Sequence, residues 1–346
     1  MLKIQLQLTP FSLFFSCLIF SSVLVFPVKA QEYQDSLKQS SVVVQAVEWI
    51  GLWPSDSKQY HKRKFREHLN SLFLGNRSYE LLHPVSIIAE DSNMFWMLDQ
   101  GGRTLIRVTK QMGDIPHFIT KSGMNFTSLV GICYGPDSTI LFTDSQDTKI
   151  YSFKRINPGI EVFNKTVELS NPTGIAYQKT KHEIWVLETK EHRIAIFSEK
   201  GELIRKIGTR GTGPSEFNYP THLWIDRNGI VYVNDALNFR IQILDAEGTF
   251  LSTFGKAGDA TGYLARPKGI ATDSHGNIYI VDALFHVVQV FNREGVFLYK
   301  FGSQGNSQDE LWMPSGIFID NQDRIYLADT YNSRIQFYKI IPTGTR

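Results

Sequence analysis

The chain has little cysteine for its 346 residues, with only Cys17 and Cys133. Cys17 lies in an N-terminal segment that we expect to be removed, and the single cysteine that remains cannot form an intramolecular disulfide. The mature protein is therefore expected to depend on its hydrophobic core rather than on disulfide bonds. A hydrophobic fraction of 42% in a chain of this length is enough for a sizeable core.

An excess of charge of one sign is also missing. The formal net charge is +2, and the one basic cluster is HKRKFREH, His61 to His68. Long blocks of like charge are typical of segments that bind nucleic acid or a membrane surface. We therefore expect no nucleic-acid partner, and we interpret the basic cluster as the solvated side of a helix.

Recognisable catalytic motifs are absent as well. The sequence has no Gly-x-Ser-x-Gly elbow, phosphate-binding loop, HExxH or CxxC motif. These absences remove the usual sequence signals for serine hydrolases, P-loop nucleotide enzymes, zinc proteases and redox proteins. Any catalytic site would have to be built from residues far apart in the chain.

One long apolar run is present, and it lies near the N-terminus at residues 11–26. Lys3 precedes it and the sequence VKA at 28–30 follows it, which is the order of parts in a secretory signal peptide. We predict a signal peptide at 1–30 and an exported protein, periplasmic or secreted. Two alternatives stay open: an uncleaved segment that anchors the chain in the membrane, and a lipid attached to Cys17.

Internal repetition is abundant, with a period of 44 to 47 residues. Six segments end in an acidic residue, and five of them have a proline as their second residue, as in RPKGIATDSHGNIYIVD. Each contains a short strand, a turn rich in Asp, Gly and Asn, and a second strand rich in β-branched and aromatic residues. The acidic residues are Asp99, Asp144, Glu188, Asp235, Asp282 and Asp329.

A short loop leads from each acidic residue to a third strand, and a turn then leads to a fourth. Four antiparallel strands per unit of about 45 residues match a propeller blade. The sequence therefore predicts an all-β fold, a six-bladed β-propeller of four-stranded antiparallel blades at 81–341. Closure of the ring removes the exposed edges that an open sheet would carry.

The repeated pattern P-x-G-I…D-x-x-G-x-I-Y-V-x-D…R-I-Q resembles the NHL repeat, most clearly in the last three units and over roughly Leu81 to Ile340. The chain is similar to exported bacterial six-bladed NHL propellers. This resemblance implies a scaffold that binds a protein or another ligand outside the cytoplasm. RNA-binding NHL proteins carry basic faces and zinc-binding modules, and this chain shows neither.

The sixth unit has no segment of its own for a fourth strand. Residues 31–80 precede the ring and include Ser41 to Trp53, a stretch rich in β-branched residues. We predict a closing strand at about 41–53, followed by an amphipathic helix at about 58–74. The alternative closing strand is SLFLG at 71–75. The helix is indicated by apolar residues on one helical face, namely Phe65, Leu69, Leu72 and Phe73.

An acidic residue at the end of the second strand and a basic residue at the start of the third recur five positions apart. The two side chains are expected to meet across the loop. Because the pair recurs in most blades, we interpret it as a structural loop clasp rather than as a ring of charges for a ligand. The predicted pairs are Asp144–Lys149, Glu188–Arg193, Asp235–Arg240 and Asp329–Arg334.

Departures from the repeat are better candidates for function, because a binding site normally breaks symmetry. In the fifth unit Val287 replaces the basic residue, so that Asp282 is expected to lack its partner. Nearby loops carry aromatic residues, and exposed aromatic side chains on one rim favour recognition of a partner. Packing between blades is the alternative. The candidate ligand-binding residues are Phe239, Phe285, His286 and Tyr331.

His222 replaces a glycine that recurs in the first strand, which in propellers lines the central channel. Metal-dependent lyases with related repeats gather histidines around the channel, so a metal-dependent lyase or hydrolase with Zn or Ca is the alternative function. Only His83 lies near an equivalent position, three places out of step, whereas a zinc site needs three convergent ligands. We therefore expect no cofactor, no metal and no catalytic residue.

Overall fold

The computed structural model of the protein describes residues 45–54, 81–109, 115–119, 125–156 and 158–342. The described chain forms six four-stranded antiparallel sheets, as the repeat predicted. The predicted signal peptide, the helix at 58–74 and the alternative strand at 71–75 lie outside the described residues. Within the described part, no helix combines the length and the apolar character needed to cross a membrane.

Five blades are each built from four strands that are consecutive in the chain, with the first strand innermost. Blade 1 contains β2 (Pro84–Ala89), β3 (Met94–Asp99), β4 (Thr104–Thr109) and β5 (Ile115–Ile119). Blade 2 contains β6 (Leu129–Tyr134), β7 (Ile140–Asp144), β8 (Lys149–Lys154) and β9 (Gly159–Val162). Blade 3 contains β10 (Pro172–Gln178), β11 (Glu183–Glu188), β12 (Arg193–Ser198) and β13 (Leu203–Ile207).

A two-residue parallel pair, β14 (Thr209–Arg210) and β15 (Glu216–Phe217), lies in the connection to blade 4. Blade 4 contains β16 (Pro220–Ile225), β17 (Val231–Asp235), β18 (Arg240–Leu244) and β19 (Phe250–Phe254). Blade 5 contains β20 (Pro267–Thr272), β21 (Ile278–Asp282), β22 (Val287–Phe291) and β23 (Phe297–Phe301). Blade 6 combines β24 (Ile317–Ile319), β25 (Arg324–Asp329) and β26 (Arg334–Pro342) with the N-terminal β1 (Gln45–Trp53).

Strand β1 completes the sixth blade, in the position that the sequence predicted. It pairs antiparallel with β26 from Gln45 opposite Pro342 to Trp53 opposite Ile335. Trp53 is only 5% exposed, and its ring centroid lies 5.9 Å from that of Phe95 in blade 1. One N-terminal strand therefore supplies the outer edge of the last blade and also packs against the first.

The hydrophobic core lies between neighbouring blades. Successive side chains of a strand point to opposite faces, and both faces of each sheet are covered here. In β3, Phe95 and Met97 pack into the cluster shared with blade 6, whereas Trp96 and Leu98 pack into the cluster shared with blade 2. This arrangement explains why the second strands read as nearly continuous apolar runs.

The glycine that recurs in the first strand is required by the close approach of neighbouring blades. A Cβ atom on Gly174 would lie 2.7 Å from the backbone nitrogen of Leu223, and one on Gly269 would lie 2.7 Å from the carbonyl oxygen of Ser315. Only a residue without a side chain fits such spacing. His222 is the exception in blade 4, and its side chain contributes to the wall of the central channel.

Candidate functional site

One end of the propeller carries two kinds of loop, and we call this end the upper rim. The first kind joins the second and third strands, at 100–103, 145–148, 189–192, 236–239, 283–286 and 330–333. The second kind is the connection that leads into each first strand. Both lie at the same end because the first strand begins beside the end of the second, as Pro84 opposite Asp99 and Pro220 opposite Asp235 show.

The recurring acidic residues tie these two kinds of loop together. All six side chains are at most 1% exposed. Asp99 accepts hydrogen bonds from the backbone N–H groups of Leu82 and His83, at 2.9 and 2.8 Å. Each acidic residue thus fixes the connection that enters its own blade, and a buried carboxylate is stable there because it is hydrogen-bonded.

Three of the four predicted clasp pairs are in contact. The Nε atoms of Arg193, Arg240 and Arg334 each lie 2.7 Å from a carboxylate oxygen of the acidic residue five positions earlier. Arg240 also donates to the carbonyl oxygens of Thr212, Gly213 and Glu216. In blades 4 and 6 the arginine therefore holds a longer stretch of the incoming connection in addition to the loop.

The predicted pair Asp144–Lys149 is wrong. Lys149 Nζ lies 3.2 Å from Asp147 Oδ1, on a partly exposed part of the loop. Asp144 is buried and accepts hydrogen bonds from Thr127 and from the backbone N–H of Ser128 instead. The same loop supplies a second carboxylate, Asp147, which is partly exposed to solvent. A lysine ammonium that pairs with Asp147 remains hydrated, so this pair has a smaller desolvation cost than a pair with buried Asp144.

Asp282 does not lack partners, although the basic residue of the clasp is missing beside it. Its two carboxylate oxygens accept hydrogen bonds from the backbone N–H groups of Ala265 and Arg266, at 2.8 and 3.0 Å. His286 makes a contact between blades, because its Nδ1 accepts a hydrogen bond from Met313 N at 2.9 Å. The break in the repeat at blade 5 therefore has a structural explanation.

His192 makes the same kind of contact between blades 3 and 4. Its Nδ1 accepts a hydrogen bond from Tyr219 N at 3.0 Å. His192 and His286 both precede a third strand and have positive φ angles of 55° and 58°. Burial, and then the charge of Arg210, lower the pKa of His192, which favours the neutral ring that can accept this hydrogen bond.

The three predicted aromatic residues do not occupy equivalent positions. Phe239 precedes a third strand and is half-buried against the core, and Phe285 is also half-buried. Tyr331 is 55% exposed and lies two residues after its acidic residue. In blades 4 and 5 that equivalent position holds Leu237 and Leu284, which are 52% and 55% exposed. The apolar residues exposed on these loops are therefore two leucines and one tyrosine.

Further apolar side chains lie beside them on the connections that enter the first strands. The ring of Trp312 is centred 6.3 Å from that of Tyr331, and the ring of His83 is centred 5.3 Å from Tyr331 on the other side. Tyr331 N also donates to Trp312 O at 3.1 Å. We call the exposed set on blades 4, 5, 6 and 1 the apolar rim patch: Leu82, Tyr219, Leu237, Leu284, Trp312 and Tyr331.

The central channel holds a separate cavity of about 180 Å³, lined by first strands. The imidazole of His222 lines it, and Trp224 and Phe318 narrow it, with their rings centred 5.9 Å apart. Burial deep in the molecule, and then the charge of Lys268, lower the pKa of His222 to about 4. His222 is therefore neutral at physiological pH.

The structure does not bring His83 and His222 together, because His83 packs against Tyr331 on the rim and is not part of the cavity wall. In the described ranges, no three His, Cys, Asp or Glu side chains are close enough together to hold a metal ion. Burial, and then Arg266, lower the pKa of Lys268, and no described carboxylate forms an ion pair with it. Asn234, which lies opposite His222 on the next strand, has a buried Oδ1 that accepts no hydrogen bond from the described part of the chain.

The comparison with known families settles the architecture. Residues 163–256 and 263–341, together half of the chain, match the model of the 6-bladed beta-propeller family. The chain belongs to this family. Membership of the 6-bladed beta-propeller family agrees with the six sheets, whereas it does not specify the NHL type of repeat. No curated protein sequence matches the chain.

Several solved structures share this fold. An auxiliary nutrient binding protein from Bacteroides thetaiotaomicron is 12% identical with a TM-score of 0.61, over 86% of this chain and 77% of that one. One from Bacteroides ovatus is 14% identical with a TM-score of 0.59, over the same shares. Virginiamycin B lyase from Staphylococcus aureus is 15% identical with a TM-score of 0.57, over 77% of this chain and 98% of that one. At these identities the likeness shows the fold alone.

Most of the apolar rim patch was not predicted from the sequence. Aromatic residues in the loops point to Tyr331 but not to Leu237 and Leu284. Alignment of the units on their acidic residues would have placed these leucines at the position of Tyr331. The exposure of Leu82 and Trp312 leaves no such signal, because these residues lie on connections of different lengths.

Proposed function

We propose that this propeller is an exported, non-catalytic binding protein of the NHL type that holds a protein or another ligand against its upper rim. The observation that carries this proposal is the apolar rim patch, which extends over four adjacent blades. Apolar side chains that are exposed together on one surface, rather than scattered singly, often mark a site of recognition. Aromatic anchors such as Trp312 and Tyr331 are the side chains that most often dominate binding energy.

The support beneath the patch fits a binding role. Leu237 N donates to Asn218 O at 3.0 Å, and the buried acidic residues hold the connections on which Leu82 and Trp312 lie. Loops that are fixed before binding lose little conformational entropy when the ligand arrives. The names of the two Bacteroides structures, auxiliary nutrient binding proteins, lend further support to a binding role.

A matched pair of variants tests this proposal. In the first, Leu284, Trp312 and Tyr331 are replaced by serine. In the second, the exposed residues Leu203, Ile204 and Val296, which lie away from the rim, are replaced by serine. Capture of partners or ligands from the extracytoplasmic fraction is then measured with immobilised protein. We expect the first variant to lose capture and the second to retain it, with unchanged melting temperatures in both.

Unchanged capture by the first variant would contradict a rim-based binding function. The opposite pattern, in which only the second variant loses capture, would place the contact surface on the outer strands of the propeller. Each outcome is interpretable because all six substitutions are at exposed side chains, where the effect on stability is usually small.

A channel-centred lyase or hydrolase is the second candidate. Its support is His222 in the channel wall, with Lys268 and Asn234 beside it and Asn234 Oδ1 unpartnered among the described residues, together with the fold shared with virginiamycin B lyase. The positive charge of Lys268 opposes a metal cation beside His222. Elemental analysis after treatment with a chelator distinguishes this candidate from the binding protein. One bound metal per chain that is lost in His222→Ala would favour the channel-centred lyase or hydrolase.

A further inference from the structure

Three side chains form a row across blade 1, on the side that faces blade 2. Trp96 lies directly opposite Arg107, and Arg107 lies directly opposite His117. Residues opposite each other on adjacent strands project to the same face of a sheet. The guanidinium carbon of Arg107 lies 5.7 Å from the ring centroid of Trp96. The row therefore places an indole, a guanidinium and an imidazole side by side.

Two N–H donors in this row lack an acceptor among the described residues. Trp96 Nε1 and Arg107 Nε are both buried, and no described residue accepts a hydrogen bond from either. Arg107 also forms no ion pair with any carboxylate in the described part of the chain. Buried donors are almost always paired in folded proteins, so two that are unpaired at one place call for an explanation.

The same residues line a cavity between the first two blades. Its volume is about 630 Å³, which lies within the range of small-molecule pockets. Ile119, Phe153 and Ile160 supply apolar walls. Arg155 also lines the cavity, but it is bound to Glu90, with Nη2 3.1 Å from Oε2. Arg107 is therefore the cation in this cavity whose charge is not balanced by a described carboxylate.

Blade 3 contains a related group with the acceptor supplied from within, although its arginine, Arg205, lies on the fourth strand at the position of His117 and not on the third strand at that of Arg107. Trp185 holds the position of Trp96, three residues before the acidic residue, and its Nε1 donates to Glu183 Oε2 at 3.1 Å. Arg205 Nη2 donates to the same oxygen at 3.0 Å, and Arg205 lies 5.8 Å from the ring centroid of Trp185. One carboxylate thus satisfies both the indole and the guanidinium. In blade 1 the position of Glu183 is taken by Met94.

We propose that the cavity between blades 1 and 2 binds the carboxylate of a small organic acid. This carboxylate accepts hydrogen bonds from Trp96 Nε1 and from the guanidinium of Arg107, as the carboxylate of Glu183 accepts from Trp185 and Arg205 in blade 3. Arginine suits a planar, bidentate acceptor. The apolar walls receive the carbon skeleton of the acid. This cavity is separate from the upper rim and the channel, so the site does not depend on the proposed function.

Indole resonances give a direct readout of this site. The chain has six tryptophans, so the full mature protein labelled with nitrogen-15 at tryptophan gives six indole N–H signals, and Trp96→Phe identifies the one from Trp96. Sodium benzoate is titrated at constant ionic strength, with sodium chloride and sodium phosphate as separate arms. We expect a saturable shift of the Trp96 signal with benzoate only. The Trp185 signal is the internal control, because its indole already binds Glu183.

Variants at the cation provide the second part of the test. Arg107→Gln is expected to weaken benzoate binding by about tenfold or more, because a hydrogen bond to a charged group is lost. Arg155→Gln removes a cation from the same cavity but one already paired with Glu90, and we expect it to bind benzoate as the unmodified protein does. An equal loss in both variants would indicate general attraction of anions and would overturn the proposal.

Met94 allows the site to be filled from within. Met94→Glu places a carboxylate at the position that Glu183 has in blade 3, and we expect a higher melting temperature and no benzoate response. Met94→Gln is the uncharged control. We expect it to keep the benzoate response and to show no increase in melting temperature. A Trp96 signal that benzoate does not move, or that phosphate moves equally, would exclude a carboxylate site here.

Discussion

At the scale of single residues, the ion pairs of the upper rim differ in burial, and burial decides how much each stabilises the fold. The side chains of Asp235 and Arg240 are 0% and 14% exposed, whereas those of Asp147 and Lys149 are 31% and 42% exposed. Arg240→Met leaves a buried charge without its partner and is expected to cost about 3–5 kcal/mol of unfolding free energy. Lys149→Met is the matched control and is expected to cost about 1 kcal/mol or less.

Urea denaturation of both variants measures this difference. Equal losses in Arg240→Met and Lys149→Met would mean that Asp235 is held well enough without a basic residue, by Asn218 N and by the side chains of Asn238 and Gln242. Blade 5 shows that such an arrangement exists, because Asp282 has two backbone donors and Val287 in place of the basic residue.

His222 predicts a pH dependence of stability at the same scale. Its pKa is lowered to about 4 in the folded protein from an ordinary value of 6.5, first by burial and then by Lys268. Below about pH 6.5 the unfolded chain therefore binds a proton that the folded chain does not, so stability falls as the pH is lowered toward 4. His222→Gln removes this contribution, and we expect the variant to lose less stability than the unmodified protein between about pH 7 and about pH 4.5.

Unfolding free energies at several pH values, measured in parallel for both proteins, check this expectation. His192 remains in both, so its own lowered pKa cancels in the difference. Parallel curves for the two proteins would show that His222 is as well solvated in the channel as in the unfolded chain.

The sequence predicted residue contacts where they are local and repeated, and it missed those that depend on neighbouring strands. The spacing of five between Asp235 and Arg240 spans a single loop, so the repeat reveals it. Lys149 has two carboxylates within reach in the sequence, Asp144 and Asp147. Their difference in burial decides which of them it pairs with. The row Trp96–Arg107–His117 joins three strands, and its unpaired donors become visible only when Met94 is compared with Glu183.

At the scale of structural elements, β1 is the strand on which closure of the ring depends. It pairs with β26 through eight residue pairs, with a bulge between Trp49 and Gly51, and Trp49 Nε1 donates to Gln336 Oε1 at 2.8 Å. Removal of residues 31–53 is expected to lower the melting temperature strongly, because it exposes an edge of blade 6 and uncovers part of the core. Removal of residues 31–44 alone leaves β1 in place and is expected to change the melting temperature little.

Trp53→Ala tests the same strand without a deletion. Trp53 is buried against Phe95, and loss of a buried tryptophan side chain is expected to cost about 3–5 kcal/mol. If neither the deletion of 31–53 nor Trp53→Ala destabilised the protein, β1 would not be needed for closure. The sequence could predict this strand because a six-unit ring with only three strands in its last unit must obtain the fourth from elsewhere.

At the scale of the whole molecule, the repeat was enough to predict the ring, its six blades and the end at which the loops gather. It was not enough to predict which loop residues are exposed. Half-buried Phe239 and exposed Leu237 belong to the same loop, and the difference arises because the residue before the third strand turns back toward the core at a positive φ of 53°. Exposure on the rim is thus a property of the assembled blades.

The single cysteine expected in the exported chain leads to a final prediction for the whole molecule. Cys133 is buried in the core, and burial raises the pKa of its thiol, so the reactive thiolate is disfavoured. If the signal peptide is removed after Ala30, exported protein begins at Gln31 and retains this single cysteine. We expect N-terminal sequencing of exported material to begin at Gln31 and the melting temperature to be the same with and without a reducing agent. A reductant-sensitive melting temperature would indicate a disulfide between chains, and material that begins at Met1 would indicate a retained membrane anchor.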